Sequence, residues 1–425
     1  MTTALLTDMY ELTMLDAAIA DGTVSRRAVF ETFSRRLPAG RRFGMVGGTG
    51  RLLDLLRDFR FDEADLRFLR DHRIVSEATA AHLADFRFTG TITALPEGEV
   101  YWPHTPVLTV HGTFGEALIL ETVVLSVLNH DSAVASAAAR MVIAAQGRPL
   151  IEMGSRRVHE RAAVAAARAA YVAGFATTSN LEAGRSFGVP VAGTAAHASV
   201  LARPSEREAF AAQVAQSGPD TTILVDTYDI AEGIRTAIDV AGTGLRAIRL
   251  DSGDLLVESR KARDLLDSLG APDTKVSVTS DLDEYLIEEL QGAPIDIYGV
   301  GTRVATGSGA ATAGMVYKLV AIEDADGSMR SVAKKSTSKT STGGDKTVSR
   351  FEDGREVWTL DGTVPDGATG VHETLVDHGD FLAQDRAGTE RARQRAAAAI
   401  AALPPRAAKI AHGEAFRTSE EWEQA

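Results

Sequence analysis

The sequence predicts an α/β protein: an incomplete β/α barrel joined to a discontinuous α/β (α+β) domain built from both ends of the chain. Three observations lead there. Between about Pro149 and Thr302, short apolar runs alternate with helical stretches, as in βα units around a parallel sheet. Polar residues gather just after those runs, where barrel enzymes carry their sites. On both flanks, helical patterns mix with short β-like runs. A doubly wound open sheet is the competing architecture, but six or seven consecutive units suit a barrel better.

Residues 1–130 give the first part of the flanking domain, with β-like runs at Thr91–Ala94 and Pro106–Val110. Phe114–Gln146 is Ala-rich, has no Pro, and reads as a long helix. The barrel is expected over 131–320. Its runs are Pro149–Glu152, Gly174–Ala176, Val189–Val191, Ile223–Val225, Ala247–Leu250, Val276–Val278 and Ile295–Tyr298. Helical stretches Glu160–Val172, Ala231–Ala241 and Glu258–Leu269 lie between them. Residues 321–425 are expected to return to the first domain and to end on a helix near Thr389–Leu403. Lys334–Lys346, rich in Lys, Ser, Thr and Gly, reads as a polar, mobile loop.

Composition narrows the function classes. The 425 residues are 44% apolar and 24% charged, which suits a globular protein with a sizeable core. With no cysteine, disulfides, thiolate metal sites and a Cys nucleophile are excluded. Met1–Tyr10 lacks the basic flank and apolar stretch of a signal peptide, and no apolar run reads as a bilayer span. The expectation is a cytoplasmic protein without membrane partners. A net charge of −13 argues against a nucleic-acid partner, so anionic ligands must be held by local cations, backbone amides and a metal ion.

Several motif matches fail. Gly44–Gly50 has the wrong spacing for a dinucleotide fingerprint and reads as a turn into a helix near Arg51. No Gly-Lys pair supports a phosphate-binding P-loop. His159-Glu160 begins like a zinc-protease helix, but Ala163 stands where the second His belongs. Ser336–Lys339 matches a short Ser/Lys pattern and reads as part of the polar loop. Ile223–Gly233 lacks the paired acids of the type I phosphoribosyltransferase motif.

Four segments together carry a stronger signal: Leu6–Glu11 (LTDMYE), Glu152–Arg157 (EMGSRR), Gly193–His197 (GTAAH) and Arg249–Asp254 (RLDSGD). Gly299-Val300-Gly301-Thr302 is a fifth. In this order and spacing the chain resembles the nicotinate phosphoribosyltransferases, a type II phosphoribosyltransferase family, in an actinobacterial-type form. The resemblance implies a homodimer that joins nicotinate to phosphoribosyl pyrophosphate, giving nicotinate mononucleotide and pyrophosphate for NAD synthesis. It also implies Mg2+ and ATP hydrolysis coupled through a phosphohistidine.

His197 matches the phosphorylated histidine; neutral imidazole is a nucleophile near pH 7. By position alone it is equally a loop histidine making one structural hydrogen bond. Arg249 and Thr194 match nicotinate-binding positions, and a guanidinium fork suits a pyridine carboxylate. Arg249 lies inside an apolar run, so either Asp251 or a ligand must satisfy it. Tyr10 matches an aromatic partner reaching the ring from the neighbouring subunit; without the family it is a half-buried helix tyrosine. Arg157 is taken for the nicotinate site ahead of its neighbour Arg156. Asp251, Ser252, Gly253, Gly299, Gly301 and Thr302 match the phosphoribosyl pyrophosphate site. Asp251 and Asp254 suit ribose hydroxyls or magnesium, although acids around a Gly also mark simple turns. The metal ligands are not legible. A nicotinamide or quinolinate phosphoribosyltransferase and a non-catalytic phosphoribosyl-binding sensor are the alternatives.

Overall fold

The computed structural model describes residues 2–334, 341–381 and 386–422, so residues 335–340, the centre of the expected polar loop, fall outside the description. The chain forms two compact units: Met1–Ala133 with Ala310–Ala425, and Val134–Gly309. The second division comes earlier than the expected 320/321. The reason is that Met315–Glu323 is an antiparallel strand against Arg27–Ser34, so it belongs to the first unit's sheet.

That sheet has seven strands. Arg27–Ser34 lies between Met315–Glu323 and Leu108–Thr113, and Thr91–Ala94 follows, paired with Glu373–Asp377. Strands from both chain ends therefore interleave. The helix Glu63–Asp71 starts on Asp62, whose carboxylate accepts from the Ala64 and Asp65 amides, while Asp65 reaches back in a capping box. Phe59, Phe61 and Phe86 meet edge-on beneath it and are nearly fully buried. The expected turn before Arg51 is present: Gly48 has φ +93°, and the helix runs Thr49–Arg57.

In the second unit six strands form one all-parallel sheet. In chain order they are Leu150–Glu152, Thr177–Thr178, Thr222–Leu224, Ala247–Leu250, Lys275–Val278 and Ile297–Val300. Spatially the order is second, first, sixth, fifth, fourth, third. The first strand pairs with the last, as in barrel closure, and the only break lies between the second and third. This is an incomplete β/α barrel rather than a doubly wound sheet. The strands are apolar because both faces are covered: Ile223, Ile248, Val276 and Val300 are fully buried.

One predicted run falls short. Val189–Val191 makes a single parallel bridge, Val191 to Thr178, because Pro190 has no N–H to extend the ladder. The helices between strands start on acid or hydroxyl caps: Asp229 before Ile230–Ala241, Asp254 before Leu255–Ser268 and Ser205 before Glu206–Ser217. Ile230–Ala241 buries Gly233, Ile234, Ala237 and Ile238, an i, i+4 stripe. A Cβ on Gly233 would stand 2.3 Å from the Val225 carbonyl oxygen, so glycine permits this close helix–strand approach.

The stretch Phe114–Gln146 divides into Phe114–Leu118 and Glu121–Ala145. Contrary to the sequence expectation, Phe114–Ala145 has the length and apolarity of a bilayer span, but 67% of its apolar window is buried inside the fold. That is how a core helix of a folded domain behaves.

Candidate active site

A cavity of about 520 Å³ opens at the C-terminal ends of the barrel strands. Its walls come from every strand loop but one. The first loop contributes Met153, Arg156 and Arg157, and the second Ser179 and Leu181. The stretch around the barrel's break supplies Val191–Ala196, the fourth strand Arg249 and Asp251, the fifth Thr279–Asp281, and the sixth Gly299, Gly301 and Thr302.

Seven of the residues selected from sequence thus line one space: Arg157, Thr194, Arg249, Asp251, Gly299, Gly301 and Thr302. Arg156 lines it too, so the adjacent arginines share this wall. Ser252 and Gly253 do not line it and are exposed. The Ser252 hydroxyl donates to Asp226 Oδ2 at 2.7 Å, and Gly253 turns the chain with φ +84°. Asp254 is spent capping the next helix through the Leu256 and Val257 amides. Tyr10 lies in the first unit, on helix Met9–Asp21, and is 45% exposed. Burial of its ring, with Glu121, Glu11 and Asp8 nearby, pushes its hydroxyl up to about 12.

Arg249 is held at the cavity wall with its side chain 11% exposed. Nη1 donates to Thr194 Oγ1 at 2.6 Å and to the Ala195 carbonyl at 3.4 Å; Nη2 reaches Asp251 Oδ2 at 3.4 Å. Nε is buried without a partner. Neither sequence alternative is complete by itself: Asp251 takes part of the charge and one donor is left over. Asp251 is in turn fixed by Thr279 Oγ1 at 2.5 Å and by its own amide on Asp226 Oδ2 at 2.8 Å.

His197 begins a short helix after the break. Its Nδ1 is 3.2 Å from Thr227 Oγ1, and Nε2 is 3.9 Å from Asp226 Oδ1 and 4.0 Å from Asp251 Oδ2. The side chain is 40% exposed, so its Nε2 edge is near two carboxylates while part of the ring is open to solvent. Asp226 Oδ1 is buried and has no hydrogen-bond partner. Sequence reading passed over Asp226. Its signal was positional: it follows Ile223–Val225 as Asp251 follows Ala247–Leu250.

The glycines have different reasons. A Cβ on Gly299 would stand 2.5 Å from Thr279 Cγ2 and 3.0 Å from Met153 Sδ, so glycine lets those two close the floor. A Cβ on Gly193 would meet nothing within 4 Å. Ser280 takes φ +103°, which strains an L-residue and places the strain at the cavity edge. Among the described residues no group of three or more His, Cys, Asp or Glu forms a cage for a metal ion. Magnesium needs less, since one or two carboxylates and substrate phosphates suffice; Asp251 and Asp226, whose Oδ1 has no hydrogen-bond partner, are two carboxylates of that kind.

Comparison with known proteins gives a consistent result. The family model for the nicotinate phosphoribosyltransferase (NAPRTase) N-terminal domain matches residues 5–129. Nicotinate phosphoribosyltransferase pncB1 of Mycobacterium tuberculosis is 51% identical over 424 residues, covering 96% of this chain and 93% of that protein. The Bacillus subtilis nicotinate phosphoribosyltransferase is 40% identical, covering 82% and 73%. Among solved structures, human nicotinic acid phosphoribosyltransferase superposes with a TM-score of 0.83 at 24% identity, covering 98% and 97%. A nicotinate-nucleotide pyrophosphorylase from Pyrococcus furiosus gives 0.79 at 22%, covering 94% and 95%. These two structural likenesses speak to the fold.

Proposed function

The chain belongs to the nicotinate phosphoribosyltransferase family, and from that premise we propose that its barrel cavity joins nicotinate to phosphoribosyl pyrophosphate with coupled ATP hydrolysis. The carrying observation is the half-satisfied Arg249 on the cavity wall, one donor on Thr194 and Nε unpartnered. A buried guanidinium with a free donor calls for an anion, and a planar carboxylate fits its fork.

In this reading nicotinate lies with its carboxylate toward Arg249, Thr194 and Arg157. The ring nitrogen bonds to the anomeric carbon as the bond to pyrophosphate breaks, the electron pair leaving with pyrophosphate. No protein nucleophile is required, so positioning and fixed charges supply the acceleration. Arg156, the backbone at Gly299–Gly301 and the Thr302 hydroxyl face the phosphate side. Asp226 and Asp251 would hold magnesium with the phosphate oxygens, and the ion would neutralise developing charge on the pyrophosphate.

His197 is the proposed phosphate acceptor: a nitrogen–phosphorus bond forms as the bond to ADP breaks, and water later cleaves it. Its 40% exposure suits the approach of a nucleotide. Asp226 and Asp251 near Nε2 would stabilise the imidazolium formed during transfer.

The assembly proposed is a homodimer with Tyr10 serving the neighbouring subunit's site. Leu6, Met9 and Tyr10 are 59%, 63% and 45% exposed at the chain's start, an apolar surface that a second copy would cover.

The test is product formation from nicotinate, phosphoribosyl pyrophosphate and magnesium, with and without ATP. Nicotinate mononucleotide with ATP-stimulated turnover and matching ADP supports the reading. Binding of phosphoribosyl pyrophosphate without turnover refutes it in favour of a sensor.

A further inference from the structure

Beneath the cavity lies a carboxylate that the proposed chemistry does not use. Glu152 ends the first barrel strand, is 1% exposed and does not line the cavity. Oε1 accepts from the Gly154 amide, and Oε2 accepts from Thr178 Oγ1 at 2.5 Å. Burial raises its pKa, opposed by these two bonds.

Each partner governs a different wall. Gly154 begins the turn that presents Arg156 and Arg157, and the Arg157 amide donates to the Gly154 carbonyl at 2.9 Å. A Cβ at Gly154 would stand 2.7 Å from Glu152 Oε1 and 2.6 Å from Ala305 Cβ, so the turn is pressed onto the carboxylate. Thr178 accepts from the Asn180 amide at 3.0 Å while its one hydroxyl proton goes to Glu152. Its backbone holds the stretch at the barrel's break, through Thr178 N to Pro190 O at 3.0 Å and Ala192 N to Thr178 O at 2.9 Å. The Glu152 carbonyl also accepts from the Ser179 amide at 2.9 Å.

We infer that Glu152 is a positioning residue for the cavity, bracing the Arg156–Arg157 turn against Thr178 and, through Thr178, the Val191–Ala196 wall. The inference rests on reading the cavity as the substrate site. The chemistry demands a double acceptor here. A glutamine would turn an N–H toward Thr178 Oγ1, which already accepts from Asn180, and the displaced hydroxyl proton would have no acceptor on Glu152.

Glu152→Gln and Thr178→Val are expected to raise KM for nicotinate about tenfold while kcat changes less than threefold, and Thr178→Ser, which keeps the hydroxyl, is expected to restore KM. A purely structural carboxylate would lower the melting temperature and leave KM in the folded fraction unchanged; that result overturns the inference. Thr178→Val carries the test if Glu152→Gln does not fold. If the wild type turns over no pyridine, the functional reading fails separately. Calorimetric titration with nicotinate mononucleotide then decides the role of Glu152: about tenfold weaker binding in the variants supports it, and equal binding or none in any protein overturns it.

Discussion

Arg249 donates to the Thr194 hydroxyl at 2.6 Å across the cavity wall, joining the fourth barrel strand to the loop that carries His197. This contact fixes one end of the guanidinium, while Nε is buried without a partner. Arg249→Lys keeps the charge but loses the fork. Its kcat/KM for nicotinate is expected to fall by about 2–3 kcal/mol of transition-state binding, roughly 30- to 150-fold. Initial-rate kinetics check it, and a change below threefold would remove Arg249 from the carboxylate site.

His197→Asn retains a polar side chain near Asp226 and Asp251 but no imidazole. ATP-stimulated turnover is expected to disappear while ATP-independent product formation persists. Radiolabel from γ-labelled ATP should appear on the wild-type protein, acid-labile, and be absent from the variant. Stimulation that survives in the variant excludes His197 as the phosphate carrier.

Ser280 bears the strain of φ +103° at the cavity edge. Glycine adopts that conformation freely, so Ser280→Gly is expected to stabilise the protein by about 1 kcal/mol. A chemical denaturation curve measures it. A loss of stability would show that the serine hydroxyl contributes more than its backbone costs.

Two buried acids in the first unit give opposite pH dependences. For Asp131, burial opposes ionisation, but Arg51 at 2.9 Å and His130 overcome it and hold the pKa at about 2. A depressed pKa stabilises the fold above the unfolded value of 3.8 and loses that contribution as pH falls toward 2. Acid unfolding of the wild type should show a loss of about 2 kcal/mol there, and Asp131→Asn should lack that step.

Glu11 behaves the other way. Burial pushes it up to about 7 against bonds from Thr122 and Thr7. A raised pKa favours the protonated folded form, so stability falls as pH rises from about 4.5 to 7. Glu11→Gln should be less destabilised between pH 5 and 8 than the wild type, by up to about 3 kcal/mol. Urea midpoints at the two pH values decide it; equal slopes would contradict the assignment.

The barrel was legible because its strands are buried on both faces and stand out as apolar runs between capped helices. Pro190 marks the limit of that reading: the run around it looks like a strand, yet a missing N–H leaves one bridge. The expected 320/321 boundary cuts through Met315–Glu323 because strand pairing over such a separation leaves no local trace in sequence. Arg249 and Asp251 were readable as charges at a strand end. Asp226 and Glu152 occupy equivalent ends, but their importance comes from hydrogen bonds to loops far along the chain. Ser252 matched a binding motif, and in the structure its hydroxyl donates to Asp226.

The central claim is a carboxylate-selective pyridine site built on Arg249. The most direct test is kcat/KM for nicotinate, nicotinamide and quinolinate, measured side by side with saturating phosphoribosyl pyrophosphate, magnesium and ATP. The account predicts nicotinate preferred over nicotinamide by at least about 100-fold, because the amide carries no charge to match the part of the guanidinium's charge that Asp251 leaves unbalanced. Equal use of the two, or a preference for nicotinamide or quinolinate, would contradict it.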